Sequence, residues 1–460
     1  MRKLAQMILA VSVIGIGLAA LFSRATPIVS VGETEARKTP GGVSWAGRLA
    51  TGGAPQARPT GFEQERLWSV YDDWEPATAV DPVSADIYQI TTRYDGPKPC
   101  PACKLPALIF RRSSDGGATW LPDQFLTITR RTQNDPQIAV AADGVIYVAW
   151  LNEYRPGVVF MRSTDRGQTW STPMALAPSR GQPRWSDRPV LAISADGRHV
   201  YVAFNASHSY VAASHDFGQT FSAPVKTNND TRYWFHSAGA VAPDGRVYFA
   251  AVDYSQDYTG ESYIDVLRSL DGGVSWVTTR VDVSAEMPDC PWSDGCYFGF
   301  LGPVAGIAVD AAGTAMLAYN AGDTPGAPQA LFARISSDGG VTWSARQLLS
   351  ADLEHNAFPA LAAGREPGDF RLVWQGSRPG HTDAWNTWYR QTYNAGQTWQ
   401  PAVRLSDRPD GAPYKHPDGY QFPYGDYFEI EVDSHGVSYV IWGEGSSYTG
   451  PGGTWYTRGQ

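Results

Sequence analysis

One octapeptide, Ser-x-Asp-x-Gly-x-Thr/Ser-Trp/Phe, recurs along this chain and limits what it can fold into. It reads SSDGGATW from Ser113 to Trp120, STDRGQTW from Ser163 to Trp170 and SHDFGQTF from Ser214 to Phe221. It returns as SLDGGVSW from Ser269 to Trp276 and SSDGGVTW from Ser336 to Trp343. A sixth, degenerate copy, TYNAGQTW from Thr392 to Trp399, carries Asn394 in the Asp place. The Asp or Asn positions 115, 165, 216, 271, 338 and 394 are 50, 51, 55, 67 and 56 residues apart. That period suits one four-stranded β-propeller blade per repeat. The residue types are those of a tight hairpin: a carboxylate that accepts backbone N–H groups, a glycine for positive φ, and an aromatic that packs between neighbouring sheets. Aspartates that recur at the same place in five of the six copies are therefore turn residues rather than catalytic ones.

A second unit lies upstream of each box: an apolar strand, an Asp/Gly turn, and an apolar strand ending in an aromatic. Examples are PQIAVAADGVIYVAW (Pro136 to Trp150), GAVAPDGRVYFAAV (Gly239 to Val252) and FEIEVDSHGVSYVIW (Phe428 to Trp442). Seven such pairs begin near Ala77, Pro136, Pro189, Gly239, Gly306, Pro359 and Phe428. Seven pairs against six boxes predict an all-β propeller with six complete blades and one split blade. In the split blade, Gly452 to Gly459 supplies the third strand and the stretch from Arg66 to Tyr71 the fourth, which closes the ring without a free edge. Six blades are the alternative. The expected domain plan is residues 1–25 as a leader or anchor, 26–60 as a linker and 61–460 as the propeller.

These octapeptides resemble the Asp boxes of the sialidase (bacterial neuraminidase repeat) superfamily, over roughly residues 65 to 460. The resemblance implies a set of groups for an acidic sugar: three arginines on the substrate carboxylate, a Tyr nucleophile activated by Glu, and an Asp acid/base. The chain departs from that pattern. Where the family opens its first blade with an Arg-Ile-Pro sequence, this one has Asp73-Trp74-Glu75-Pro76, and its nearest Arg-Pro is Arg188-Pro189, two blades on. Thr92-Arg93-Tyr94-Asp95 faintly matches the region of the family's acid/base Asp.

Composition narrows the partners. With 37 Lys and Arg against 46 Asp and Glu, the formal net charge is -9, which argues against a nucleic-acid footprint. Met1-Arg2-Lys3 followed by the apolar run Leu4 to Phe22 has the form of a secretory signal, and two readings stay open: cleavage near Ala25, or retention as an N-terminal anchor. Export to a secreted, periplasmic or cell-surface location is the expectation, with membrane contact only through that anchor. The four cysteines form two close pairs, Cys100/Cys103 and Cys290/Cys296, read as two loop disulfides. No metal and no cofactor is expected, and the chain is expected to be a monomer.

Strand direction places a site. If the boxes join third to fourth strands on one face, the opposite face collects residues just before inner strands and just after second strands. Before inner strands stand Glu75, Asp135, Asp187, Arg188, His236 and Asp426; after second strands stand Arg93, Asn152, Asn205, Asp253, Asn320, Gln375 and Glu444. The expected axial pocket is lined by Asp135, Asp187, Arg188, Arg232, His236, Asp253 and Glu444. Arg188 and Arg232, with Arg93 and Asp135, are the candidates for holding a carboxylated sugar. Asp187, Asp253, His236 and Glu444 are the candidates for proton transfer. An exo-acting hydrolase of acidic glycans is the leading function. A non-catalytic glycan- or protein-binding propeller and a uronate lyase, the latter with His236 as base and Tyr233 or Tyr254 as acid, are the alternatives.

Overall fold

A computed structural model describes residues 61–459, apart from 70, 85, 154–156, 177–186, 289–300, 351, 381–383, 409–410, 413–427 and 446–451. Seven four-stranded antiparallel sheets form a closed ring, a seven-bladed β-propeller. Six blades run inner to outer in chain order. Their first and last strands are Asp72–Val80 to Gln124–Phe125, Gln133–Val140 to Met174–Ala175, Asp187–Ile193 to Val225–Lys226, Tyr233–Val241 to Val277–Ser284, Ala305–Val309 to Gln347–Leu348, and Asn356–Ala363 to Val403–Arg404. The seventh takes its three inner strands, Phe428–Val432, Ser438–Gly445 and Gly452–Gly459, from the C-terminal end and its outer strand, Arg66–Leu67, from the N-terminal end. The count of seven and the split blade are as the strand pairs predict. Each inner strand packs on those of the two adjacent blades, and blade seven meets blade one. Among the described residues no helix is long and apolar enough to cross a membrane.

The second strands explain the apolar runs. Ile146–Asn152 and Ala315–Ala321 are buried along nearly their whole length because a neighbouring blade covers each sheet face. Trp150, Trp374 and Trp442 are among the largest fully buried side chains. Outer strands span only two residues in most blades, which leaves little unpaired edge.

Each box is a hydrogen-bonded turn at the end of a third strand. In the first, Ser113 Oγ donates to Asp115 Oδ1 (2.7 Å) and accepts from Gly117 N (2.8 Å). Asp115 accepts from Thr119 N (2.8 Å) and Thr119 Oγ1 (2.6 Å). The pattern repeats at Asp165, Asp216, Asp271 and Asp338. Asn394 reproduces it, accepting from Thr398 N and donating to Thr398 Oγ1, both at 2.9 Å. Gly117, at φ 82°, occupies the left-handed region that the turn requires. The box aromatic packs back on the preceding blade: Trp170 meets Phe110 edge-on at 5.3 Å, and Phe221 meets Phe160 at 4.8 Å.

A further seam bond was not visible in the octapeptide itself. The residue before the box serine is Arg in three blades, and its guanidinium donates to a carbonyl in the next box: Arg112 to Arg166 O (2.9 Å), Arg162 to Phe217 O (3.0 Å) and Arg268 to Gly339 O (2.8 Å). Arg458, on the third strand of the box-free seventh blade, does the same to Gly116 O across the closure. In blade three this place is Ala213.

Two outcomes follow. The box hydrogen bonds hold the carboxyls of Asp115, Asp165 and Asp271 down at about 2, below the ordinary value near 3.9. A depressed folded-state pKa adds stability that is present above the unfolded value and lost as pH falls through the folded one. The melting temperature should therefore drop between about pH 4 and pH 2. Asp→Asn in these boxes should keep the turn, as Asn394 does, and flatten that acid limb, whereas Asp→Ala should lower the melting temperature at neutral pH. Thermal melts across that range decide both. Second, deleting Phe62–Leu67 should expose the Gly452–Gly459 edge, lower the melting temperature and promote aggregation. An unchanged melt with a monodisperse elution would contradict the closure.

Candidate functional site

The boxes lie on one face, and the inner strands start on the other, so the opposite mouth is where functional side chains can converge. Four inner strands open with the same distortion. Glu75, Asp135, Arg188 and Phe358 each precede a proline and adopt φ between 50 and 54°. The strand pairing skips at each place, between Trp74 and Ala77, Asn134 and Gln137, Asp187 and Val190, and Ala357 and Ala360. Proline removes a ladder donor, and a β-bulge absorbs the loss by re-aiming the residue before it. A non-glycine residue in the left-handed region costs about 1–3 kcal/mol, so the surrounding ring must hold all four in place.

The mouth leads into an axial cavity of about 270 Å3. Its walls are inner-strand residues, among them Arg188, His236, Phe358, Phe428, Glu429 and Glu431. Arg188 supplies the cationic side chain of this lining. Its guanidinium carbon sits 3.7 Å from the centre of the Phe235 ring, and its Nε donates to His236 O at 3.3 Å. Stacking on an aromatic fixes the plane of a guanidinium. His236 is buried, with Nε2 at 2.8 Å from Ser209 Oγ, and its Nδ1 has no hydrogen-bond partner among the described residues. Burial pulls its pKa down to about 3, so the ring is neutral at physiological pH. Glu429 accepts from Thr78 N at 2.6 Å across the closure, and burial pushes Glu431 up to about 7.

At the seam between blades one and two the bulges build a polar group. Tyr94 Oη donates to Glu75 Oε1 at 2.7 Å, Asn134 Nδ2 donates to Tyr94 Oη at 3.0 Å, and Asp135 N donates to Glu75 Oε2 at 3.0 Å. Burial and the carboxylates of Glu75 and Asp135 hold the Tyr94 phenol well above its usual range. A phenol bonded to a carboxylate, beside a second carboxylate, can exchange a proton with a ligand at the mouth.

Several of the expected site residues do not line the cavity. Arg93 is buried against Asp73 (2.8 and 2.9 Å) and Asp123 (3.2 Å), because the bulge between Asp72 and Asp73 turns that pair inward. Arg232 turns outward across its own blade, bonding Asp253 at 2.5 Å and stacking over Tyr263 at 4.4 Å. Asp253 sits between Arg232 and Arg280, and burial pushes its carboxyl up to about 7 against their pull. Glu444 is buried and accepts from Trp442 Nε1 at 3.2 Å. Asp135 stands at the mouth on its bulge but not in the cavity wall. The backbone of Asp187 pairs with Asn205, and its side chain lies outside the described residues, as do Asp426 and the Cys290/Cys296 pair. Tyr254 is buried with its hydroxyl on Pro303 O, and Tyr233 packs edge-on to Tyr258. The Cys100 and Cys103 sulfurs adjoin in the loop after the second strand of blade one.

No family model matches the sequence, and no curated protein matches it either. Solved structures do. An ulvan lyase, described as a new family of polysaccharide lyase, is 11% identical, with 88% of this chain and 92% of that one covered and a TM-score of 0.50. A protein of unknown function from Dyadobacter fermentans is 14% identical over 87% of this chain and all of its own, with a TM-score of 0.49. A Hadza microbial sialidase is 13% identical over 78% of this chain and 74% of its own, with a TM-score of 0.44. At such identities the likeness is one of fold. With the boxes and blades described above, this chain has a seven-bladed β-propeller fold.

Proposed function

We propose that the protein is exported and that its axial mouth takes an acidic glycan, with Arg188 on a sugar carboxylate. The observation that carries this reading is Arg188 itself. It is a cation held in a strained bulge, stacked on Phe235, at the wall of the axial cavity. The ulvan lyase fold has been solved with -[GlcA(1-4)Rha3S]- bound, a carboxylated chain of the class proposed here. Export rests on the leader-like Met1 to Phe22 segment, and a Cys100–Cys103 disulfide accords with it. A monomer is part of the same reading.

The reaction proposed is hydrolysis of a glycosidic bond. Glu75 takes the Tyr94 proton as Tyr94 Oη bonds the anomeric carbon and the glycosidic C–O bond breaks, and a protonated Asp135 gives its proton to the leaving oxygen. A water that passes a proton back to Asp135 then displaces Tyr94, which regains its proton from Glu75. One observation favours a second reading, elimination from a uronate. His236 is neutral and follows directly on the Arg188 contact, which would place an unprotonated base beside a neutralised carboxylate. His236 is only 1% exposed, so this route requires the mouth to open.

A panel of sialylated, uronate-rich and neutral polysaccharides separates these outcomes. Hydrolysis releases reducing ends without new ultraviolet absorbance, and elimination releases both together. Arg188→Ala should weaken binding of an acidic glycan at least about tenfold, equivalent to about 1.4 kcal/mol, and leave neutral glycans unaffected. Tyr94→Phe should lower turnover by about a hundredfold or more with binding retained. Absence of acidic-glycan binding by the unmodified protein at millimolar concentration would remove the proposal.

A further inference from the structure

Blade three lacks the arginine that joins box to box in blades one, two and four, and a histidine pair stands at that seam. His215, the second residue of the third box, is exposed and lies over the fourth box, where a Cβ on Gly272 would come within 3.0 Å of its Cε1. His199 ends the turn between the first and second strands of the same blade and is half-buried. The two Nδ1 atoms face each other at 2.8 Å, with ring centres 5.0 Å apart and planes inclined by 67°. The edge of the Tyr201 ring supports His215 from within the sheet. Two Nδ1 atoms at this distance must share one hydrogen: one ring donates and the other accepts. Desolvation, followed by the neighbouring His215, pulls the His199 pKa down, while the Asp196 carboxylate on the same turn pulls it up.

We propose that His199 and His215 form a two-imidazole site for a borderline divalent ion of the zinc or copper type, on the box face and far round the fold from the mouth. Neutral imidazole nitrogens are ligands of choice for such ions. A tetrahedral ion with bonds of about 2.0–2.1 Å sets its two nitrogens about 3.3 Å apart, so the rings need to part by only about 0.5 Å. His215 is exposed and can make that adjustment. The ion takes the place of the shared hydrogen, which moves to the Nε2 of the ring that carried it, so both imidazoles stay neutral with Nδ1 toward the ion. Among the described residues no third His, Cys, Asp or Glu converges with the pair, so water fills the remaining positions. Bound there, the ion ties the turn after Asp187–Ile193 to the third box, at the one seam among boxes one to four where an arginine clamp is missing. The Asp196 carboxylate adds negative charge next to the site, and Arg198 opposes it.

The test uses the full chain. Titration with zinc chloride should show one ion per chain and raise the melting temperature by at least about 2 °C at saturation. Magnesium chloride should do neither. His199→Gln and His215→Gln, each at an exposed or half-buried position, should separately abolish the zinc response with the metal-free melt within a degree or so of the parent. Electron paramagnetic resonance of the copper-loaded parent should show two nitrogen ligands, which tests the site without any substitution. A zinc response that survives in either variant, an equal response to magnesium, or a copper spectrum without nitrogen coupling overturns the assignment.

Discussion

The ring stands on its closure, where two distant ends of the chain make one sheet. Arg66 and Leu67 pair with Tyr456 and Trp455, Phe62 bridges to Gly459, and Trp68 N donates to Thr454 O. Around this backbone pairing, Arg458 joins Glu63 at 2.7 Å and reaches the carbonyl of Gly116 in the first box. Glu429 crosses from the seventh inner strand to Thr78 on the first. No single blade can bury both of its faces, so each depends on two neighbours, and an open ring would leave two blades with an uncovered apolar face. Every position at the mouth is defined relative to inner strands that only the closed ring holds parallel to one axis.

The closed ring also tolerates strain that an isolated sheet would relax. Glu75, Asp135, Arg188 and Phe358 sit in the left-handed region before prolines, at matching places in four blades. Each is buried or half-buried by residues from two blades, and that enclosure holds the bulge. The consequence is chemical. Glu75 is aimed at Tyr94 and at the backbone of the next blade, and Arg188 is laid over Phe235 of the blade beyond. Site groups are thus fixed by rigid strand ends rather than by long loops, which suits a site that must hold charge in a defined place.

How much of this was legible follows from which interactions are local. Box residues bond within eight positions of one another, so the octapeptide and its spacing reveal the blades directly. The split blade was legible because seven strand pairs outnumber six boxes, and Arg66 does lie on the outer edge of the seventh sheet. The mouth was less so. Reading alternate residues along a strand assumes an unbroken ladder, and the bulges break it beside Glu75, Arg93, Asp135, Arg188 and His236. Arg93 and Arg232 are where strand ends predict them, but Asp73 and Asp253 capture their guanidiniums, a pairing between strands that strand position alone does not reveal. The recurring Glu-Pro, Asp-Pro, Arg-Pro and Phe-Pro dipeptides were a signal for the bulges, and Tyr94, one residue beyond Arg93, was the partner they selected.

In the proposed function Arg188 is the point where a ligand's charge is met. A structure of the protein with a short uronate-containing oligosaccharide bound tests this most directly. The account predicts a sugar at the axial mouth, its carboxylate within about 3 Å of the Arg188 guanidinium and its ring facing Tyr94. A glycan seated on the Asp-box face or on an outer strand, with Arg188 untouched, would contradict it.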